Sequence, residues 1–200
     1  MSGAAAAADA SGGAADDPWA SRKHPLESRW TLWFEQKQQK AGLRPLHTFD
    51  SVEDFWCLHA NIKAPSGLAP ASTVALFKEG IEPRWEDPAN AGGGCWTAVL
   101  PRATNAAELL DSWWLALLLA CIGEQFEAEG DEVCGATVSI RHGKNRVELW
   151  TRSAGSEALQ VSIGKQLRAV LKTVPETTRM GFATFADKMQ PGKARDRYYA

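Results

Sequence analysis

The sequence predicts an α+β protein with a largely antiparallel sheet of seven or eight short strands and three helices. Two observations carry this prediction. Segments rich in β-branched and aromatic residues are joined by turn signals, and the tightest of these, 142–145 (HGKN), indicates a hairpin. Each helical segment is inserted between runs of strands, so the helices can cover one face of the sheet. The other face is then free to hold a ligand.

The strand predictions rest on aromatic, β-branched or alternating segments. The first segment, SRWTLWF, has this character throughout, whereas Pro45 in the second suggests an edge strand or a bulge. The C-terminal stretch DKMQPGKARDRYYA is polar and basic, so the strand before it is predicted to be the last. The predicted strands cover 28–34, 43–49, 73–78, 96–100, 133–141, 146–152 and 180–185.

The helix predictions rest on capping pairs, in which a short polar residue precedes an acidic residue by three positions. Such pairs predict helices over 51–62 and 106–126. Ser156 opens a third helix over 157–172, and Pro175 ends it. The capping pairs are Asp50 with Glu53, Ser51 with Asp54, and Asn105 with Glu108.

The length and the net charge of the chain limit the classes of protein to which it can belong. With 200 residues the chain can form one domain with a substantial core, which we place at 19–200 after a disordered tail at 1–18. The net charge of −2 argues against coating of nucleic acid by bulk electrostatics, although a local basic cluster is permitted. The N-terminus shows no signal-peptide pattern, and the longest apolar run, 113–122, is too short to span a bilayer. We therefore expect a cytoplasmic protein, with the nucleus as a second compartment.

The sequence offers no motif for catalysis or for a cofactor. There is no Gly-x-Ser-x-Gly element and no phosphate-binding glycine loop, and 92–94 (GGG) is predicted to be a flexible turn. The cysteines form no Cys-x-x-Cys pair, so we predict small buried thiols in a reducing cytosol rather than zinc ligands. The chain is therefore predicted not to be an enzyme and to need neither metal nor cofactor. The four cysteines are Cys57, Cys95, Cys121 and Cys134.

The segment 80–88 (GIEPRWEDP) places a tryptophan between two prolines, where neither a helix nor a central strand can bury it. Trp85 is therefore either a plug packed beneath a loop or one wall of a binding site. Taken alone, composition favours the plug. The neighbouring carboxylate, Glu86, becomes informative only together with other residues.

Two further features have ordinary explanations when each is taken alone. Trp150 lies in a predicted strand, where core packing explains it, and a basic cluster surrounds the turn before that strand, where solvation explains it. Together with Trp85 and Glu86, these features suit a flat cationic heterocycle that stacks on an indole and donates two N–H groups to a carboxylate. Guanine methylated at N7 is such a heterocycle, and the basic cluster would take its phosphates. The basic cluster consists of Arg141, Lys144 and Arg146.

Several blocks of the chain resemble the eukaryotic translation initiation factor 4E family, whose members bind the 5′ cap of messenger RNA. The blocks include HPLESRWTLWF and LFKEGIEPRWED, and they run in the family order from about residue 24 to residue 187. The resemblance implies a curved antiparallel sheet of about eight strands, with three helices on its convex face and the cap in a concave slot. The matching blocks cover 24–34, 49–56, 76–87, 114–124, 131–141 and 149–151.

The resemblance also implies roles for individual residues. Trp85 would stack on the base, Glu86 would accept hydrogen bonds from its N1 and N2 edge, and Trp150 would line the side of the N7 methyl group. The implied phosphate contacts are Arg141, Arg146 and, by a looser match, Lys144. A dorsal site would bind a helical Tyr-x-x-x-x-Leu-apolar peptide of a scaffold protein or repressor. The residues that match the dorsal site are His24, Pro25, Val52, Trp56, Leu115 and Leu119.

The sequence departs from the family pattern in two places. The family closes a second aromatic ring over the base, but the loop at 35–45 contains no aromatic residue, and Gln39 falls about where the ring should be. Either Trp19, His47 or Arg44 replaces the ring, or the slot binds the cap more weakly. On the dorsal surface, Ala116 stands where the family pattern has an acidic residue. This replacement removes one polar contact to the partner peptide. An alternative for the dorsal residue Trp56 is that it simply packs on the sheet.

The expected function is that of a non-enzymatic cap-binding protein of translation initiation. Its partners would be the capped end of mRNA and a scaffold protein of the 4G type or a 4E-binding repressor, with no membrane involved. One alternative is a repressor or scaffold with weak cap affinity. A second is a nucleotide-processing enzyme that uses Glu86 and Asp87, and a third is a sequence-independent RNA binder, which the low net charge disfavours.

Overall fold

The computed structural model describes residues 23–36, 42–100, 104–126, 131–172, 178–190 and 196–200. The predicted tail at 1–18, Trp19 and Gln39 lie outside these ranges. Within these ranges, eight strands form one sheet in the order β2-β1-β3-β5-β6-β4-β7-β8, and every neighbouring pair is antiparallel. The α+β prediction is confirmed. The strands are β1 (Pro25–Gln36), β2 (Arg44–Ser51), β3 (Ser72–Lys78), β4 (Gly94–Val99), β5 (Val133–Ser139), β6 (Arg146–Thr151), β7 (Met180–Thr184) and β8 (Tyr198–Tyr199).

Three helices correspond to the predicted ones, and the core lies between them and one face of the sheet. They are α1 (Val52–Asn61), α2 (Ala106–Ile122) and α3 (Glu157–Val170). Indoles and aliphatic side chains fill this interface, with Trp30 and Trp96 contributed by the sheet and Trp113 by α2, all three almost completely buried. We call this side the helix-covered face and the opposite side the open face.

Strand β6 shows how alternation divides residues between the two faces. Val147 and Leu149 belong to the core cluster under the helices. The residues between them, Arg146, Glu148 and Trp150, therefore lie on the open face, because successive side chains of a strand point to opposite sides. Since β6 lies between β5 and β4, this row of three runs along the middle of the open face.

The predicted caps are confirmed at two helices and wrong at one. The Ser51 hydroxyl accepts a hydrogen bond from the Asp54 amide, and the Ser156 hydroxyl accepts one from the Leu159 amide. Asn105 makes no side-chain cap, because its backbone angles (φ −97°, ψ 22°) are not those of an extended N-cap residue. Helix α2 also ends at Ile122, several residues before the predicted end, since Glu124 adopts a positive φ of 46° that a helix cannot continue through.

The C-terminal stretch contains structure that was not predicted. The Thr184 hydroxyl caps a short helix, α4 (Phe185–Met189). Tyr198 then pairs with Phe182 of β7 and stacks on its ring at a centroid distance of 5.7 Å, which creates β8. A strand of two residues has no periodicity of its own, so its position depends on the edge of the sheet to which it binds.

Three of the four cysteines are buried thiols, as predicted. Cys95, Cys121 and Cys134 are buried, whereas Cys57 on α1 is exposed and contradicts the prediction. Burial raises the pKa of the Cys134 thiol to about 12, so this thiol is protonated at neutral pH. Among the helices in the described ranges, none has the length and apolar character needed to cross a membrane.

Candidate functional site

The loop between β3 and β4 is held by its own side chains. Asn90 is fully buried, and its side-chain amide donates to the carbonyls of Glu82 and Arg84 at 2.8 Å each. The carboxylate of Asp87 accepts from the Glu82 amide and the Ala89 amide at 2.9 Å each. These four hydrogen bonds fix the backbone on both sides of residues 85 and 86 without help from a ligand.

The fixed loop presents Trp85 and Glu86 to solvent. Trp85 is 42% exposed, although an indole that filled a gap beneath the loop would be buried. The alternative of a packing plug therefore does not describe Trp85. The Glu86 side chain is exposed and has no hydrogen bond or ion pair with any residue that the structure describes. Both groups are available to a ligand.

The loop rests on an apolar cluster of the open face that includes Trp150. Ile81 and Ala89 anchor the loop in this cluster, and Phe77 forms its buried centre. The Trp150 ring meets the Phe77 ring edge-on, at 5.3 Å and 80°, and lies 4.4 Å from the Phe185 ring. Trp150 remains partly exposed, so it forms a rigid wall beside the loop. Trp33 packs against the same cluster. The sequence predicts only that Trp33 lies in a strand, not that it contributes to this cluster.

Two of the three predicted phosphate contacts line one cavity, and the third is engaged by backbone carbonyls. Lys144 and Arg146 line an open cavity of about 580 Å³ on the open face. Arg141 instead donates to the carbonyls of Ser72 and Ile140, at 2.9 and 3.0 Å. Its guanidinium is therefore engaged at the start of β3, and a phosphate would have to share its donors. The phosphate roles of all three residues stay predictions.

A buried polar network lies between Trp150 and the basic residues and was not identified from the sequence. Its centre is Glu148, whose side chain is 7% exposed. Thr97 of β4 and Thr137 of β5 face Glu148 across the sheet and donate to its carboxylate at 3.1 and 3.2 Å. Lys188 of α4 donates to the same carboxylate at 3.0 Å and to the Cys95 sulfur at 2.7 Å. Alternation in β6 could have indicated Glu148, but nothing in the sequence connects it with Lys188.

Glu148 and Lys188 both stay charged at neutral pH, although Glu148 is buried. Burial acts to raise the pKa of Glu148, but the positive charges of Lys188 and Arg146 outweigh burial and lower it below the ordinary value. Burial raises the pKa of the Cys95 thiol to about 12, so this sulfur is uncharged at neutral pH. Burial also opposes the charged form of Lys188, yet its pKa is raised, and we assign this rise to the Glu148 carboxylate. Glu148 and Lys188 therefore form an ion pair at neutral pH.

The predicted partner site forms an apolar surface on the helix-covered face. Val52 and Trp56 of α1 are 37% and 44% exposed, so the alternative in which Trp56 packs on the sheet is not observed. Leu115 and Leu119 lie one turn apart on α2 and are half-buried. The His24 carbonyl accepts from the Val52 amide at 2.9 Å. This bond holds the exposed His24 and Pro25 beside the start of α1. The role of these residues as a partner site stays a prediction.

Two of the three proposed substitutes for the missing ring lie on the wrong face. His47 pairs with Leu32, and Arg44 pairs with Phe34. Leu32 and Phe34 contact the core under the helices, so their partners in β2 also face that side. Trp19 lies outside the described residues. Neither His47 nor Arg44 can therefore close over a base at Trp85.

Comparison with known proteins identifies the family. The model of the family described as "Eukaryotic initiation factor 4E" matches residues 25–199. The chain is 42% identical to eukaryotic translation initiation factor 4E-1 of Hordeum vulgare, over 95% of this chain and 88% of that protein. It is 46% identical to the Cucumis melo protein of the same name, over 74% of this chain, and spans 63% of that relative's length. The chain belongs to the eukaryotic initiation factor 4E family.

Solved structures of other members have the same fold. The C. elegans protein eIF4E-3, in complex with the 4E-binding protein Mextli, is similar with a TM-score of 0.82 and 37% identity, covering 90% of this chain and 100% of that one. The Ascaris suum protein eIF4E-3, in complex with the m2,2,7G cap, is similar with a TM-score of 0.81 and 38% identity, covering 89% and 98%. A second Ascaris suum complex contains the m7G cap.

We expect Asn90→Ala to loosen the loop while the sheet stays intact. The substitution leaves the carbonyls of Glu82 and Arg84 without their donor, which costs about 1–3 kcal/mol. Hydrogen exchange of peptides covering 82–89 should therefore accelerate roughly 10- to 100-fold, with β3 and β4 unchanged. Asn61→Ala is the control, because Asn61 donates one bond at the end of α1. Unchanged exchange in the Asn90 variant would show that the loop does not depend on this amide.

We expect the stabilising effect of Glu148 to depend on pH. Its pKa is lower in the folded protein, so its contribution is fully present above the unfolded value of about 4.5 and is lost as pH falls through the folded value. Glu148→Gln should therefore lower the free energy of unfolding by about 1–3 kcal/mol at pH 7 and by less at pH 3.5. Urea denaturation at both pH values measures this difference. An equal loss of unfolding free energy at both pH values would mean that the ion pair does not contribute to stability.

Proposed function

We propose that this chain binds the 7-methylguanosine 5′ cap of mRNA on its open face. On its helix-covered face it binds a helical peptide of a partner protein, which links the capped mRNA to the translation initiation machinery in the cytoplasm. The observation that carries the proposal is the braced loop, which presents an exposed indole and an unpaired carboxylate side by side. Family membership and the cap complexes of Ascaris suum eIF4E-3 support it.

The two side chains complement different parts of the methylated base. Methylation at N7 makes guanine cationic, and a cation over the face of an indole gains about 0.5–2 kcal/mol. Glu86 can accept two parallel hydrogen bonds from N1–H and the exocyclic amine, and its charge makes these stronger than neutral ones. Because the loop is already fixed, little ordering entropy opposes binding. Neutral guanine would lose part of both contributions, which explains selectivity for the methylated base.

The same loop disfavours the enzymatic alternative. Both oxygens of Asp87 accept backbone hydrogen bonds within the loop, so Asp87 acts as a brace and is not free to pair with Glu86 in catalysis. Within the described ranges, no group of three or more His, Cys, Asp or Glu side chains could hold a metal ion. The proposed role is therefore binding without turnover.

The partner role is supported by the apolar surface on α1 and α2. An exposed tryptophan next to an exposed valine is the kind of feature that an amphipathic helix covers. The C. elegans relative is in complex with a 4E-binding protein. We propose that a Tyr-x-x-x-x-Leu-apolar helix packs on Val52, Trp56, Leu115 and Leu119, close to His24 and Pro25.

The test of cap binding compares two glutamates of one loop. Glu86→Gln removes the charge that accepts from the base, and the affinity for 7-methyl-GTP should fall about 10- to 100-fold. Glu82→Gln is the matched control, since Glu82 is exposed and pairs with Arg84 at 3.2 Å. Titrations monitored by tryptophan fluorescence measure both variants against 7-methyl-GTP and GTP. The proposal fails if the Glu86 variant binds like the wild type, or if the wild type binds GTP as tightly as 7-methyl-GTP.

The test of partner binding uses two exposed apolar residues. Trp56→Ala should weaken binding of a Tyr-x-x-x-x-Leu-apolar peptide by at least about 2 kcal/mol, roughly 30-fold, with cap affinity unchanged. Leu46→Ala is the control, because Leu46 is as exposed as Trp56 but lies in β2. Isothermal titration calorimetry gives both affinities. Equal peptide binding by the wild type and the Trp56 variant would place the partner elsewhere.

A further inference from the structure

The segment after β7 carries a lysine back onto the open face. Helix α4 packs Phe185 against Trp150, with ring centroids 4.4 Å apart. One turn later, Lys188 reaches Glu148, which precedes Trp150 by two positions in β6. Two residues along a strand span about 6.6–6.8 Å, so the Lys188 ammonium lies within about 10 Å of the wall of the proposed base site.

The cavity beside Glu148 is mainly cationic. Four basic side chains and one acidic side chain are among the residues that line its volume of about 580 Å³. A phosphate chain that leaves a base held beside Trp150 meets Lys188 and Arg146 first, since both approach the same oxygen of Glu148, at 3.0 and 3.7 Å. The charged residues that line the cavity are Lys144, Arg146, Arg179, Lys188 and Asp196.

Lys188 is held in place but is still accessible. Its side chain is 32% exposed, and one of its three donors is directed to Glu148. A second donor faces the Cys95 sulfur, which carries no charge at neutral pH and is a weak acceptor, and the ammonium makes only a long contact of 3.5 Å to the Thr97 hydroxyl. The Glu148 carboxylate is largely screened from the cavity by Lys188 and the two threonines. An anion in the cavity therefore meets the ammonium before it meets the carboxylate.

We propose that Lys188 binds the phosphate chain that follows the methylated base, together with Arg146 and Lys144, and that Glu148 positions Lys188 for this contact. The inference rests on the proposed cap-binding function and adds a residue of the C-terminal segment to the site. Glu148 offsets the entropy of ordering a long side chain before the ligand arrives. This arrangement also explains why a carboxylate is tolerated in a site for anions.

The test uses ligands that differ only in phosphate number. We expect Lys188→Met to weaken binding of 7-methyl-GTP about tenfold, to weaken 7-methyl-GMP less, and to leave 7-methylguanosine within twofold of the wild type. The dependence of log affinity for 7-methyl-GTP on log salt concentration should lose about one unit of slope. Lys188→Arg should restore most of the affinity. Lys165→Met is the control, because Lys165 is exposed on α3.

A double variant separates the phosphate contact from a purely structural role. Removing Lys188 alone leaves the buried Glu148 carboxylate with only the more distant Arg146 as a cationic partner, so Glu148→Gln is combined with Lys188→Met to remove the poorly compensated charge. The double variant should show normal circular dichroism, normal affinity for 7-methylguanosine and the same tenfold loss for 7-methyl-GTP. Wild-type affinity of either Lys188→Met variant for 7-methyl-GTP overturns this inference alone. A wild type without preference for 7-methyl-GTP over GTP overturns the proposed function and this inference together.

Discussion

The register of β6 is the constraint on which the two sides of the molecule depend. Val147 and Leu149 must face the helices to complete the core, and the strand period then fixes Arg146, Glu148 and Trp150 on the open face. A shift of one residue would exchange the two sets, burying an arginine and a glutamate under the helices. The free energy that excludes this shift comes from the core. The same burial that stabilises the fold therefore positions the candidate site.

The sheet supplies neighbours for Glu148 that make its burial tolerable. Threonines occupy the positions directly opposite it in both flanking strands, so the register that places the carboxylate also places two donors beside it. Lys188 supplies the compensating charge from a separate segment. A buried carboxylate without these partners would cost several kcal/mol or take up a proton. The polar network is thus a consequence of strand pairing, completed by the C-terminal segment.

Local signals predicted the framework well, and interactions across the chain explain what was missed. Ser51 could be recognised as a cap from its own neighbours, because a capping hydroxyl bonds an amide three residues away. Asn105 has the same sequence signature, yet its backbone conformation does not permit the bond. The phosphate role of Arg141 stays a prediction, but the bond of its guanidinium to β3, far away in sequence, could not be predicted from local pattern. Lys188 and Glu148 are 40 residues apart, and no local pattern could join them.

The near-neutral net charge of the chain limits how strongly it can attract RNA without regard to sequence. A protein with a net charge of −2 does not attract RNA through its overall field, whereas four of its basic side chains line one cavity. Part of that positive charge is already matched by Glu148, so the cavity gains less from phosphate contacts than its count of basic residues indicates. Under the proposed function, discrimination would then come from the groups on the braced loop, an indole plane and a carboxylate, which together would distinguish a methylated guanine from other RNA ends. In that proposal, a weak general attraction for RNA lets the recognition of one modified base dominate binding.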